Sequence, residues 1–337
     1  MWWVIAGIAL MLALPVGLAA VLTWLHFWLR KHHMKHLSRI FLEKPLFIIP
    51  RGQPTAEAEE VDLTSAGGIQ LRGCYLKHTA QAPKGVILFG LEFGSNRWAA
   101  GPYVDYLRAA GYDVFTWEPR NQGDSHRQEG FEPLQWVTDR EVADCRAAIE
   151  YLKKRPDADP RGVGVYGLSK GANAGLAAAA DEPYICCVVT DGAFAHYTTM
   201  VPYMRVWFSI YDRKRPLQGL FGAWYFGLIA RAGAREVGQQ RGVIYPDIER
   251  LIGGLSPRPL LMIHGGADTY IKPTMARDLF GHARRPKELW IVEGANHNQA
   301  LQVAGAEYKR RVVEFFDKHL ARPQPAKPAQ LDPAASA

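Results

Sequence analysis

The chain has 337 residues, nearly half of them apolar, with 40 basic and 33 acidic residues and a formal net charge of +7. That is enough for one large α/β domain with additions and a sizeable core. Four of the positive charges, Arg30, Lys31, Lys35 and Arg39, cluster near the N-terminus and leave only +3 elsewhere, which argues against a general nucleic-acid surface.

In chain order, the first feature is a stretch from Trp2 to Leu29 without Lys, Arg, Asp or Glu. About 20 apolar residues suffice to cross a bilayer, and this run is longer. Trp2 and Trp3 stand at one end and Trp24 and Trp28 at the other, where interfacial aromatic anchors belong. No basic residue precedes the apolar core, and the core is too long for a cleaved signal peptide. A single transmembrane anchor over residues 1–30 is expected. The basic RKHHMKHLSR that follows predicts a cytoplasmic main domain by the positive-inside rule.

Residues 31–60 read as a basic flank and linker, with Pro45, Pro50, Gly52 and Pro54 breaking any periodicity. Residues 61–320 then alternate between short apolar runs and helical patterns. VDLTSAGGIQLRGCYL predicts two strands joined through Gly67-Gly68. GVILFG is a short apolar strand, WAAGPYVDYLRAAG a helix stopping at Gly111, and YDVFTWE another strand. WVTDREVADCRAAIEYLKKR is helical, with Thr138 and Glu141 spaced as a capping box. RGVGVYG runs straight into the helical LSKGANAGLAAAA. Strands ICCVVTD, PLLMIHG and KELWIVEG follow, with helices PTMARDLFGHA and QVAGAEYKRRVVEFFDKHL. Such alternation predicts a mostly parallel sheet covered by helices on both faces, with functional residues at the carboxyl ends of its strands. The last residues, 321–337, are rich in Pro and Ala and predict a disordered tail. No internal repeat is present. The cysteines Cys74, Cys145, Cys186 and Cys187 lack metal-ligand spacing and read as free thiols, which suits a reducing compartment.

Gly167-Leu168-Ser169-Lys170-Gly171 matches G-x-S-x-G between an apolar strand and an Ala-rich helix, the context that makes the motif meaningful. A tight turn there projects the Ser169 hydroxyl at a helix N-terminus, where backbone N–H groups favour negative charge. A serine nucleophile needs a base, and the base an orienting acid. Asp268 follows the strand PLLMIHG, and His297 follows the last strand; both fall at the edge where Ser169 sits. Asp191, just after ICCVVT, is the alternative acid. Of the other histidines, His264 reads as a structural cap and His196 as a pocket-lining residue. Lys170 suggests either an anion-holding cation or a solvated residue at the helix start.

Over residues 60–320 the sequence resembles the α/β-hydrolase fold, in which the triad order is Ser, acid, His. YDVFTWEPRNQGDS resembles the family's Asp-x-Arg-Gly-x-Gly-x-Ser segment, here Glu118, Arg120, Asn121, Gly123 and Ser125. LEFGSNR stands where the family often has His-Gly-Phe-Gly-Gly-Asn-Arg, so Leu91 replaces the histidine and Glu92 the first glycine. On this resemblance the oxyanion donors are the backbone N–H groups of Phe93 and Lys170, and Glu92 is expected to turn away and bond to Asn96 or Arg97. The Ser-Lys-Gly elbow is similar to that of acyl-CoA thioesterases of the fold. The fold implied is an α/β-hydrolase with a sheet of the eight-stranded type, a helical cap over residues 195–256 and the N-terminal span.

The cap stretch is rich in Trp, Phe, Tyr and Met, as in HYTTMVPYMRVWFSIY and LQGLFGAWYFGLIARAG, which suits an acyl pocket or contact with a bilayer. The function expected is a membrane-anchored serine hydrolase that cleaves a carboxylic ester of a lipid-like or acyl small molecule. It would use Ser169, His297 and Asp268, with no metal or organic cofactor and no nucleic-acid partner. An acyl thioesterase or amidase with the same triad is the first alternative. A catalytically silent binding protein, suggested by Glu92, is the second.

Overall fold

The computed structural model describes residues 2–42, 44, 49–211 and 222–321. Helix α1 (Trp2–Leu42) is followed by strands β1 (Ala58–Ser65), β2 (Ile69–Leu76) and β3 (Gly85–Gly90), helix α2 (Gly101–Ala109) and strand β4 (Tyr112–Trp117). Next come α3 (Asp139–Lys154), β5 (Val163–Leu168), α4 (Ser169–Ala179) and β6 (Ile185–Asp191). Helices α5 (His196–Tyr211), α6 (Ala223–Arg241) and the short α7 (Ile248–Leu251) separate β6 from β7 (Leu260–Gly265). The chain closes with α8 (Pro273–His282), β8 (Lys287–Val292) and α9 (Ala300–His319).

The strands form an eight-stranded sheet in the order β1-β2-β4-β3-β5-β6-β7-β8. β1 and β2 are an antiparallel hairpin through Gly67 and Gly68, both at positive φ, and β2 pairs antiparallel with β4. Every pairing from β4 through β3 to β8 is parallel. Strands buried on both faces carry unbroken apolar runs rather than alternating ones, as in the fully buried GVILFG of β3. Val142, Ile149 and Leu152 of α3, Leu176 of α4 and Leu279 of α8 fill the core on one face. Val104 and Leu107 of α2 and Val312 and Phe316 of α9 fill the other. β3 lies between β4 and β5, so the connections after β3 and β5 depart from neighbouring strands, and the crevice of a doubly wound sheet opens there.

Two features of the α1 region differ from the sequence-based expectation. Composition ends the anchor near residue 30 and makes 31–60 flank and linker. The helix instead continues unbroken to Leu42, and β1 begins at Ala58. The reason is an apolar pair, Met34 and Phe41, seven residues apart among basic ones and so on one helix face. Both are buried in a cluster with Trp136, Phe194, Tyr225 and Ile229. At 1.5 Å per residue, α1 is about 60 Å long, roughly twice a bilayer's hydrocarbon thickness. Its window Met11–Trp28 is long and apolar enough to cross a membrane, and none of it is buried. Its second half lies along α6, where Arg30 pairs with Glu236. The expected disordered tail lies outside the described residues except for Ala321, as does part of the expected cap, residues 212–221.

Candidate active site

Ser169 stands at the junction of β5 and α4 with φ +48°. A non-glycine residue there is strained, by about 1–3 kcal/mol, and persists only where its surroundings hold it. Those surroundings depend on two glycines. A Cβ on Gly167 would lie 2.5 Å from the Ala172 backbone, and one on Gly171 2.4 Å from the Gly90 carbonyl carbon. The elbow therefore packs backbone to backbone against the end of β3, and no side chain fits between them.

The structure brings Ser169, His297 and Asp268 together. Ser169 Oγ is 2.9 Å from His297 Nε2, and His297 Nδ1 is 2.7 Å from Asp268 Oδ2. The other Asp268 oxygen accepts the backbone N–H groups of Tyr270 and Ile271 at 2.9 and 2.8 Å, which fixes the carboxylate plane. With Nδ1 facing a carboxylate, the ring hydrogen sits on Nδ1 and Nε2 is free to accept from the serine. The rings of Tyr270 and Phe194 lie 5.3 and 6.4 Å from the imidazole and shield it from water. Such an arrangement can remove the serine proton and return it to a leaving group.

Lys170 is the second residue of α4, so its N–H has no acceptor in the preceding turn. Among the described residues, neither that amide nor the Phe93 amide donates to another backbone group. The loop after β3 that carries Phe93 is held by charge. Arg97 donates its backbone N–H to Glu118 at 2.9 Å, and its guanidinium pairs with Glu118 and Asp124. The segment containing Glu118, Arg120 and Ser125 is thus a brace: Arg120 in turn pairs with buried Asp144, and Ser125 Oγ donates to the Glu118 carbonyl at 2.6 Å.

Glu92 does not bond to Asn96 or Arg97. Asn96 exchanges hydrogen bonds with Gly52, and Arg97 is committed to Glu118. Glu92 is buried, and its Oε2 accepts from Asn298 Nδ2 at 2.7 Å. Burial raises its pKa above the usual carboxylate value, and the Asn298 bond opposes this. Asn298 follows His297 directly, takes φ +56°, and its carbonyl accepts the Tyr103 hydroxyl at 2.9 Å. Glu92 and Tyr103 therefore tie the loop after β3 and helix α2 to the histidine loop. Sequence reasoning missed this tie; its only local signal is an amide residue directly after the histidine.

Lys170 fits neither expectation. Its ammonium is buried, bonded to Glu141 Oε1 and the Leu134 carbonyl, and burial lowers its pKa. The other Glu141 oxygen accepts from the Thr138 N–H at 2.7 Å and hydroxyl at 2.8 Å, at the start of α3. The lysine side chain thus fastens the elbow to α3 and is not available to a substrate anion.

Asp191 is buried at the end of β6, away from the imidazole nitrogens, which are taken by Ser169 and Asp268. Its Oδ2 accepts the Tyr308 hydroxyl at 2.8 Å, and Oδ1 has no hydrogen-bond partner among the described residues. Desolvation pushes its pKa up to about 7, against the lowering effect of the Tyr308 bond. His196 packs against the rings of Trp136 and Phe41, and burial lowers its pKa to about 3, so it stays neutral in a core. His264 donates from Nε2 to the Ile271 carbonyl at 2.7 Å, on the turn that carries Asp268. Among the described residues, no cluster of three or more His, Cys, Asp or Glu side chains could hold a metal ion.

Residues 102–323, well over half of the chain, match the prolyl oligopeptidase family. An uncharacterized protein of Salmonella typhi, YfhR, is 25% identical over 285 residues, which cover 80% of this chain and 85% of that protein. The mouse serine hydrolase BPHL is 24% identical over 283 residues, covering 81% and 93%. Among solved structures, an esterase of Pyrococcus furiosus superposes with a TM-score of 0.60 at 21% identity, covering 82% of this chain and 98% of that one. The α/β-hydrolase GrgF of a Penicillium species superposes with a TM-score of 0.57 at 20% identity, covering 78% and 99%. The fold is that of the α/β-hydrolases.

Proposed function

The chain belongs to the prolyl oligopeptidase family and is a serine hydrolase, and on that premise we propose that it cleaves acyl esters at a bilayer surface with Ser169, His297 and Asp268. The observation that carries this reading is the relay from Ser169 Oγ to His297 Nε2 at 2.9 Å and from Nδ1 to Asp268 Oδ2 at 2.7 Å. His297 takes the serine proton as Oγ attacks the acyl carbonyl. The oxyanion settles on the backbone N–H groups of Phe93 and Lys170, a placement worth about 10²–10³ in rate per donor. The imidazolium returns its proton to the departing alcohol. Water then attacks the acyl-serine, again through His297, and the acid leaves. Asp268 holds the imidazole in its tautomer throughout.

The apolar character of the substrate is supported by the rings of Phe194 and Tyr270 beside His297. Tethering is supported by the unburied apolar window of α1, with the basic flank directing the hydrolase domain to the cytoplasm. Esterase function in a structural relative agrees with an ester substrate. The family's description favours a second reading, cleavage of an amide or peptide bond, and a thioester presents the same carbonyl.

Hydrolysis of matched acyl esters, thioesters and anilides of increasing chain length by the full chain in detergent separates these readings. The proposal expects esters to be preferred, longer acyl chains to raise kcat/KM, and Ser169→Ala to abolish all turnover. Preference for anilides would move the assignment to the second reading. Turnover undiminished in Ser169→Ala would overturn the site itself.

A further inference from the structure

Beside the proposed anchor α1, the surface formed by α5 and α6 also exposes apolar side chains. Tyr225, near the start of α6, reaches α1 at His26: its hydroxyl lies 3.4 Å from His26 Nδ1, and the two rings meet edge to face at 6.0 Å. His26 lies two residues from Trp24 and two from Trp28, about 3 Å along the helix in either direction. The start of α6 is therefore level with the tryptophans that end the apolar span. At that level α6 turns large apolar side chains outward: Trp224 is 68% exposed and Leu228, one turn on and on the same face, is 52% exposed. On neighbouring α5, Val206 is 54% exposed, and Arg205 beside it is also exposed. Lys31 adds an exposed cation on α1 itself, three residues beyond Trp28. A cavity of about 780 Å³ lies between α5, α6 and α8, with Val206, Ala223 and Phe226 in its wall.

We propose that the α5–α6 end of the molecule, through Trp224, Leu228 and Val206, seats in the interfacial layer of the same bilayer that α1 crosses. The argument rests on the reading of α1 as an anchor. Exposed apolar side chains in water cost free energy that the headgroup–acyl boundary relieves, and indole is the side chain best suited to that boundary. The cations Lys31 and Arg205 suit anionic headgroups. The apolar cluster that begins at Met34 and Phe41 continues through Tyr225 and Ile229 to Phe194, whose ring lies 6.4 Å from that of His297.

The test uses the full chain in phosphatidylcholine and phosphatidylglycerol vesicles. An environment-sensitive fluorophore is attached through Trp224→Cys, through Leu228→Cys and, as a control on α9, through Glu314→Cys. The unsubstituted chain gives the background, because three native cysteines are buried and Cys186 is half-buried. The proposal expects blue-shifted emission at positions 224 and 228, quenched by spin-labelled lipid, and neither effect at 314. Retention in the pellet after alkaline carbonate reports the anchor separately. Retention with water-like emission at both 224 and 228 would overturn the interfacial seat and leave the anchor standing. Release by carbonate would overturn the anchor, and the inference with it.

Discussion

Asp191→Asn separates two carboxylates that the sequence leaves as rivals. In the structure Asp268 meets the histidine, whereas Asp191 is buried against Tyr308 with its pKa pushed up to about 7 by desolvation. An unfolded aspartate titrates near 3.8. Below that pH both states carry the proton and Asp191 contributes nothing to the pH dependence. As pH rises from 3.8 to 7, the unfolded chain loses the proton and the folded chain keeps it, so stability falls. Above 7 the full penalty is in place, about 4 kcal/mol at 1.36 kcal/mol per pH unit. At pH 5 the same relation gives about 1.6 kcal/mol. Asparagine never ionises, keeps an oxygen for the Tyr308 hydroxyl, and places an amide where Oδ1 has no partner. Asp191→Asn should therefore gain about 2.5 kcal/mol on wild type between pH 5 and pH 8, roughly 5–10 °C in Tm for a domain of this size. The assay is paired thermal melts across that range, with ester turnover measured at each pH. Turnover should be retained in Asp191→Asn, whereas Asp268→Asn should lose about 10⁴-fold, as loss of the correct tautomer does in serine-protease triads. A constant Tm gap across the range would refute the burial argument. Loss of turnover on the Asp268→Asn scale in Asp191→Asn would refute the assignment of the acid.

Lys170→Met should destabilise the fold by about 3–5 kcal/mol, because it leaves Glu141 buried without its cation. Adding Glu141→Gln, which still accepts from Thr138, should recover most of that loss in denaturant melts; additive losses would contradict the pairing. Glu92→Ala should lower kcat/KM about tenfold by freeing Asn298 beside His297, because catalysis is sensitive to small displacements of its groups. Glu92→Gln, which keeps the acceptor, should stay near wild type; equal losses in both variants would show that the charge, not the tie, matters.

Much of the fold was legible in the sequence because it follows local rules. Fully buried parallel strands appear as unbroken apolar runs, and GLSKG is bordered by glycines because backbone passes where a Cβ would be. Asp268 and His297 each follow a strand at the edge where such sheets gather chemistry. What was not legible depends on partners distant in the chain. Glu92 and Asn298 are 206 residues apart, and nothing near Glu92 hints at that amide. Lys170 looks like a surface lysine until α3 brings Glu141 to it. The second half of α1 looks like a solvated basic flank because two apolar residues, Met34 and Phe41, are outnumbered there by basic ones.

The central claim is that Ser169 is activated by His297 and Asp268, and labelling with a fluorophosphonate tests it most directly. The full chain in membranes is treated beside Ser169→Ala, His297→Ala and Asp268→Asn, with circular dichroism to show that each is folded. The account predicts rapid labelling of wild type, none of Ser169→Ala, and labelling slowed by orders of magnitude in the other two. A folded wild type that does not react, or a Ser169→Ala variant that reacts as wild type does, would contradict it.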